Sequence, residues 1–192
     1  MRKILAALAM LSLTFSAALS PGRAATLEGI TFPDTYPGGG QTLRLNGMAL
    51  RTVTILRVRA YVVALYLPQQ SNDPAAILSS PGPKVVLMQY LHDADKARVE
   101  AEFREGEQNN CGQGQCPKED EADFERMVAA APAVKVGDTY TFVVTARNMT
   151  FLANNKPIGT FNPDLGRLIL AGFIGTHPPS AEVKAGLLGG HR

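Results

Sequence analysis

Between Leu43 and Leu67 the chain runs 25 residues without a proline and is crowded with β-branched and aromatic side chains. Such a composition favours extended backbone. Arg51, Arg57 and Arg59 nevertheless lie inside it. Side chains of a strand alternate between faces. Counted that way, Thr54, Leu56, Val58, Ala60, Val62, Ala64 and Tyr66 form one apolar face. Arg51, Val53, Ile55, Arg57, Arg59, Tyr61, Val63, Leu65 and Leu67 form the other. A core strand does not mix cations with large aliphatics, because an unpaired buried charge is costly. The mixed face has two readings: a cleft with apolar walls and a few cations for an anionic head group, or a half-exposed sheet face with solvated arginines. One β-bulge would change the phase of the count.

The amino terminus has a basic start (Arg2, Lys3), an apolar run from Ile4 to Leu19 and a small-residue exit at Gly22 to Ala24. This is the pattern of a cleaved secretory signal. We place the cut after Ala24, with residues 25–192 as a single domain in the periplasm or outside the cell. The run is short for a membrane span, and no cysteine near the cut offers a lipid anchor, so no stable membrane anchor is expected afterwards. Cleavage removes Arg2, Lys3 and Arg23 from 19 bases and none of the 17 acids, turning a net charge of +2 into −1. No basic run of the kind that tracks phosphates is present, which argues against nucleic acid. Cys111 and Cys116 are the two cysteines. In an exported chain the pair reads as a disulfide, worth roughly 2–3 kcal/mol for so short a loop. Free thiols are the alternative. A metal site would need more ligands than His92, His177 and His191 supply, and no metal or other cofactor is expected.

Further elements follow from local signals. Thr26 to Phe32 and Gln41 to Asn46 read as strands, separated by a turn-rich loop from Pro33 to Gly40. Asn46-Gly47 is a hairpin signal. Asp73 and Pro74 start a short helix to Ser79. Lys84 to Leu91 is a strand. A helix from an Asp93 cap to about Asn109 carries Ala97, Val99 and Phe103 on a narrow apolar stripe. A second helix spans Lys118 to Ala131. Strands follow at Thr139 to Thr145, Met149 to Ala153 and Pro157 to Phe161, then helices from Asp164 to Ile174 and Ala181 to Leu188. Strands that cluster early and late, with helices inserted and appended, indicate an α+β domain with a mainly antiparallel sheet.

The segment Asn46 to Arg51 with the strand ending Ala64-Leu65-Tyr66-Leu67, the helix Phe103 to Cys111, and the tail Phe173 to Leu188 together resemble the chalcone isomerase family, closest to its bacterial exported chalcone isomerase-like branch. The resemblance spans residues 27–189. It implies an open-faced β-sandwich: a large antiparallel sheet covered on one face by helices, with a ligand cleft between. It also implies a set of site residues. The family's strand arginine matches Arg51 and its helix asparagine matches Asn110. The strand threonine falls on Tyr61. The helix tyrosine falls on Phe103, which has no hydroxyl, and the last hydroxyl falls on Gly172, which has no side chain.

The cation survives and the donors mostly do not. On the resemblance, the principal expectation is a binding protein for a small amphipathic anion, a fatty acid or polyphenol. Arg51 is its anchor and Tyr61 a second contact, with Arg59, Phe103 and Val63 along the ligand. The alternative is an intramolecular lyase closing chalcone-type rings with altered scope, with Arg51, Tyr61 and Asn110 as catalytic groups. A periplasmic structural or assembly factor is a third possibility, and the sequence names no protein partner.

Overall fold

The computed structural model describes residues 24–111 and 118–190. Of the predicted leader, residues 1–24, all but Ala24 lie outside that range. A meander of seven antiparallel strands forms the body, each hydrogen-bonded to the next in sequence. The strands are β3 (Thr35–Gly38), β4 (Gln41–Val53), β5 (Val58–Leu67), β6 (Lys84–Tyr90), β7 (Thr139–Val144), β8 (Met149–Ala153) and β9 (Lys156–Phe161). Ahead of them β1 (Ala25–Leu27) and β2 (Ile30–Phe32) pair only with each other. Helix α1 (Pro74–Ser79) joins β5 to β6. α2 (Lys96–Cys111) and α3 (Lys118–Ala130) lie between β6 and β7, and α4 (Pro163–Ile174) and α5 (Ala181–Ala185) follow β9. The expected α+β class and the helix-covered antiparallel sheet hold.

Alternation sorts the core into two clusters. Tyr61, Val63, Leu65 and Leu67 of β5 and Val86, Met88 and Tyr90 of β6 pack under helix residues such as Val99, Met127, Leu165 and Leu170. Val62, Ala64 and Tyr66 of β5 and Val85 and Leu87 of β6 point the other way. There they meet Leu43, Met48 and the β1–β2 hairpin, through Leu27, Ile30 and Phe32. The expected two faces are therefore right from Tyr61 to Leu67 of β5.

They are wrong before it. The long segment turns at Thr54 to Arg57, where Arg57 N donates to Thr54 O at 3.1 Å, leaving Ile55 97 % and Leu56 81 % exposed. Thr54 and Arg57 have φ of 63° and 52°, values unusual for a β-branched residue. No Gly, Asn or Pro announces this turn. The expected hairpin at Asn46-Gly47 is mid-strand in β4 instead. Asn46 is fully buried: Nδ2 donates to Ser71 O at 2.9 Å and Leu187 O at 2.7 Å, and Ser71 N donates to its Oδ1 at 2.8 Å. A Cβ on Gly47 would lie 2.1 Å from Gly186 O, so glycine is needed there for the close approach of the C-terminal turn.

Smaller corrections have similar causes. A turn at Glu28-Gly29, with φ of 53° and 78°, splits the expected first strand. Part of the expected Pro33–Gly40 loop is β3. Asp95, not Asp93, caps α2 by accepting from Arg98 N at 2.8 Å. Asp93 instead accepts from Val136 N at 2.9 Å and Lys135 Nζ at 3.0 Å. The caps at Asp73, Asn162 and Ser180 each accept from the first helical turn.

Candidate ligand-binding cavity

The helix-side face of the sheet carries a row of rings. Tyr61 of β5 meets Tyr90 of β6 edge-on at 5.7 Å between centroids. Tyr90 meets Tyr140 of β7 at 5.2 Å, and Tyr140 meets Phe151 of β8 at 4.9 Å. Phe103 of α2 stacks over Tyr140 at 6.3 Å and meets Phe142 at 6.2 Å. Rings packed this way add about 0.5–1.5 kcal/mol each beyond burial, so the floor is stiff.

Above it the helices stand off. α2 turns Val99, Glu102, Phe103 and Gly106 inward at helical spacing, and α4 contributes Leu168, Ile169, Gly172 and Phe173. A Cβ at Gly106 or Gly172 would meet nothing within 4 Å. The two glycines therefore leave room under the roof, despite costing each helix about 1 kcal/mol against alanine. The result is a cavity of about 100 Å³ bounded by Arg51, Tyr61, Tyr90, Phe124 and these helix residues, with His177 and Pro179 at its rim. One water needs about 10–15 Å³, so the enclosed part takes roughly seven to ten heavy atoms.

The polar groups gather at one end. Arg51 of β4 pairs with Tyr61 in register. It is half-buried; Nη1 donates to Pro179 O, and Nε is buried without a hydrogen-bond partner. Tyr61 is 2 % exposed, and its hydroxyl lies in the same cavity as the Glu102 carboxylate, close enough to feel its charge. Burial, and then the charge of Glu102, push the Tyr61 hydroxyl well above the ordinary phenol value, so it remains a donor. Burial raises Glu102 against the opposing pull of Arg51 and of the nearby Tyr61 hydroxyl. Tyr90 is raised by burial and then by Glu102.

The structure brings together three of the residues singled out in the sequence: Arg51, Tyr61 and Phe103 all face the cavity. It removes three. Arg59 is on the opposite side of the sheet, because Arg51 pairs with Tyr61 while Thr52 pairs with Arg59. Ala60 is thus the extra residue of a bulge, which flips the face, and the exposed Arg59 pairs with Glu28 at 2.6 Å. Val63 is fully buried in the core behind the cavity. Asn110 lies beyond the cavity wall and spends its amide on backbone carbonyls, Gly106 O at 2.9 Å and His177 O at 3.3 Å, tying α2 to the loop after α4. The expected Cys111–Cys116 bridge falls on Cys116, which lies outside the described residues. Glu102 and Tyr90 escaped the sequence reading. The available signal was an acid at the inward position three residues after Val99.

A family model described as chalcone isomerase-like matches residues 24–189. The chain belongs to the chalcone isomerase-like family. Among solved structures, this chalcone isomerase-like chain is similar to a fatty-acid binding protein of Arabidopsis thaliana, at 15 % identity and a TM-score of 0.69, over 85 % of this chain and 95 % of that one. At that identity the likeness establishes the fold. No curated protein matches the sequence.

Proposed function

We propose that this chalcone isomerase-like protein is exported and holds a small amphipathic acid, with the ligand's carboxylate on Arg51 and its apolar body along the aromatic floor. The observation that carries this reading is the state of Arg51. Its Nη1 is committed to Pro179, which leaves the edge formed by Nε and Nη2 for a partner. A guanidinium edge binds a carboxylate through two parallel bonds. The Tyr61 hydroxyl is the second donor at that end. The Arabidopsis neighbour's description as a fatty-acid binding protein supports the ligand class. In this reading residues 1–24 are removed on export and a Cys111–Cys116 disulfide closes the loop after α2. Intact mass before and after reduction, with sequencing of the mature amino terminus, tests both statements.

The ligand is tested by organic extraction and mass spectrometry of protein purified from an exporting host. We expect a monocarboxylic acid at about one per chain, absent from Arg51→Ala. Clean extracts from the native protein, together with no uptake of added acid, would overturn the reading.

A second reading, ring closure of a chalcone, draws on the same pair: a protonated Tyr61 and a guanidinium suit a carbonyl that becomes an enolate. Phe103, without a hydroxyl, weakens it. Loss of chalcone absorbance above the buffer rate, missing in Arg51→Ala, would favour it; a rate equal to buffer removes it.

A further inference from the structure

Glu102 does not fit a site that merely binds anions. It lines the same cavity as Arg51, and the two opposite charges attract across that space. Glu105 and Glu107 line the same wall, and among the described lining residues Arg51 is the one arginine or lysine. An ionised ligand seated on Arg51 would meet the Glu102 carboxylate in a poorly hydrated space, where like charges a few ångströms apart do not both stay ionised. Burial already disfavours the charged form of Glu102.

We propose that Glu102 takes up one proton when the carboxylate of a medium-chain acid settles on Arg51 in the same cavity, so that the cavity accepts anion and proton together. This rests on the acid-binding reading above and adds to it the residue that selects the ligand. The neutral Glu102 carboxyl then donates to the incoming carboxylate and no longer repels it.

The groups around Glu102 leave it as the proton's natural seat. Arg51 faces it from β4, Tyr61 from β5, Tyr90 from β6 and Tyr140 from β7. Arg98 and Glu105 stand on its own helix. The three tyrosines are pushed upward by burial and hold their protons already. The α3 and α4 residues on the cavity wall, such as Phe124, Ile169 and Phe173, carry no charge, and the loop after α4 brings His177.

Decanoate is a suitable probe, since its head and most of its chain fill the enclosed part, the last carbons reach the rim at His177 and Pro179, and it is ionised above about pH 6. Titration calorimetry in buffers of different ionisation enthalpy reads the coupled proton directly. We expect about one proton taken up per decanoate. Affinity should weaken about tenfold per pH unit across the interval between Glu102's titration in the empty and in the filled cavity. In Glu102→Gln the proton uptake disappears, the profile flattens, and decanoate binds more tightly than to the native protein at pH 8.5. His177→Gln keeps the uptake. Carboxyl-carbon NMR of the unmutated protein gives a reading independent of any variant: one glutamate should titrate at higher pH when decanoate is added.

Decanoate binding with no buffer dependence, parallel pH profiles for native and Glu102→Gln proteins, or an unmoved glutamate would overturn the coupling while leaving the acid site standing. No binding to either protein at any pH would overturn the acid site and the coupling with it.

Discussion

Arg51 and Lys84 enter the space under the helices from opposite ends of the sheet, and they are spent differently. Lys84, 4 % exposed, opens β6 and donates to Ser80 O at 2.6 Å and Gly82 O at 2.8 Å. Its charge closes the loop after α1. Arg51 has one carbonyl partner, an idle Nε and a titratable carboxylate beside it. The tyrosines of β5 repeat the contrast. Tyr66, on the outer face, gives its hydroxyl to Pro33 O at 3.0 Å, while Tyr61 turns its own into the cavity that Glu102 lines. A buried polar group tied to backbone holds the fold. One that faces a cavity can take a ligand as its partner, because a side chain there reorients at lower cost than a chain reversal.

The sharpest way to break this contrast is to remove each cation. Lys84→Ala should lower unfolding free energy by about 2–3 kcal/mol, since a buried side chain and its charge-assisted bonds to two part-buried carbonyls are lost, with decanoate affinity of the folded fraction unchanged. Denaturant unfolding and calorimetry read the two quantities. Arg51→Ala should do the reverse: affinity falls about 10- to 100-fold, the equivalent of losing about 1.5–3 kcal/mol of charged hydrogen bonding, with a smaller change in stability. If both variants lose both properties, the distinction fails.

Glu102→Gln sharpens it through pH. A carboxyl raised in the folded state contributes stability below its unfolded value, and that contribution is lost as pH rises through the raised folded value. The ligand-free variant should therefore melt above the native protein at pH 8, and the difference should shrink toward pH 5. A constant difference would place Glu102 outside the buried environment described. The smallest effect is expected at the roof. Gly172→Ala should gain about 0.5–1 kcal/mol of stability, because a Cβ meets nothing there and alanine favours helix, with decanoate still bound. Gly172→Leu should keep the fold and lose the ligand.

Much of the fold was legible in the chain itself. Alternation from Tyr61 to Leu67 sorted those residues of β5 onto the correct faces, and Asp73-Pro74 marked the start of α1 through chemistry that acts within a few residues. The site was legible in part. Arg51, Tyr61 and Phe103 could be named because the resemblance carries them and because cations on an apolar face are conspicuous. Arg59 was misplaced because a bulge at Ala60 depends on how two strands pair, which no single strand encodes. Asn46-Gly47 misled for the same reason: a dipeptide that favours a turn is also one that permits a C-terminal segment to press against a strand.

Sequence by itself determined which residues are extended or helical and which sides of the strands are apolar, since propensity and periodicity are local. Tertiary structure alone decided that Glu102 faces Arg51, that two helix glycines leave a roof standing off an aromatic floor, and that Lys84 is tied down where Arg51 is not. Those outcomes depend on distances between segments far apart in the chain, and burial and charge take their values only once those distances are set.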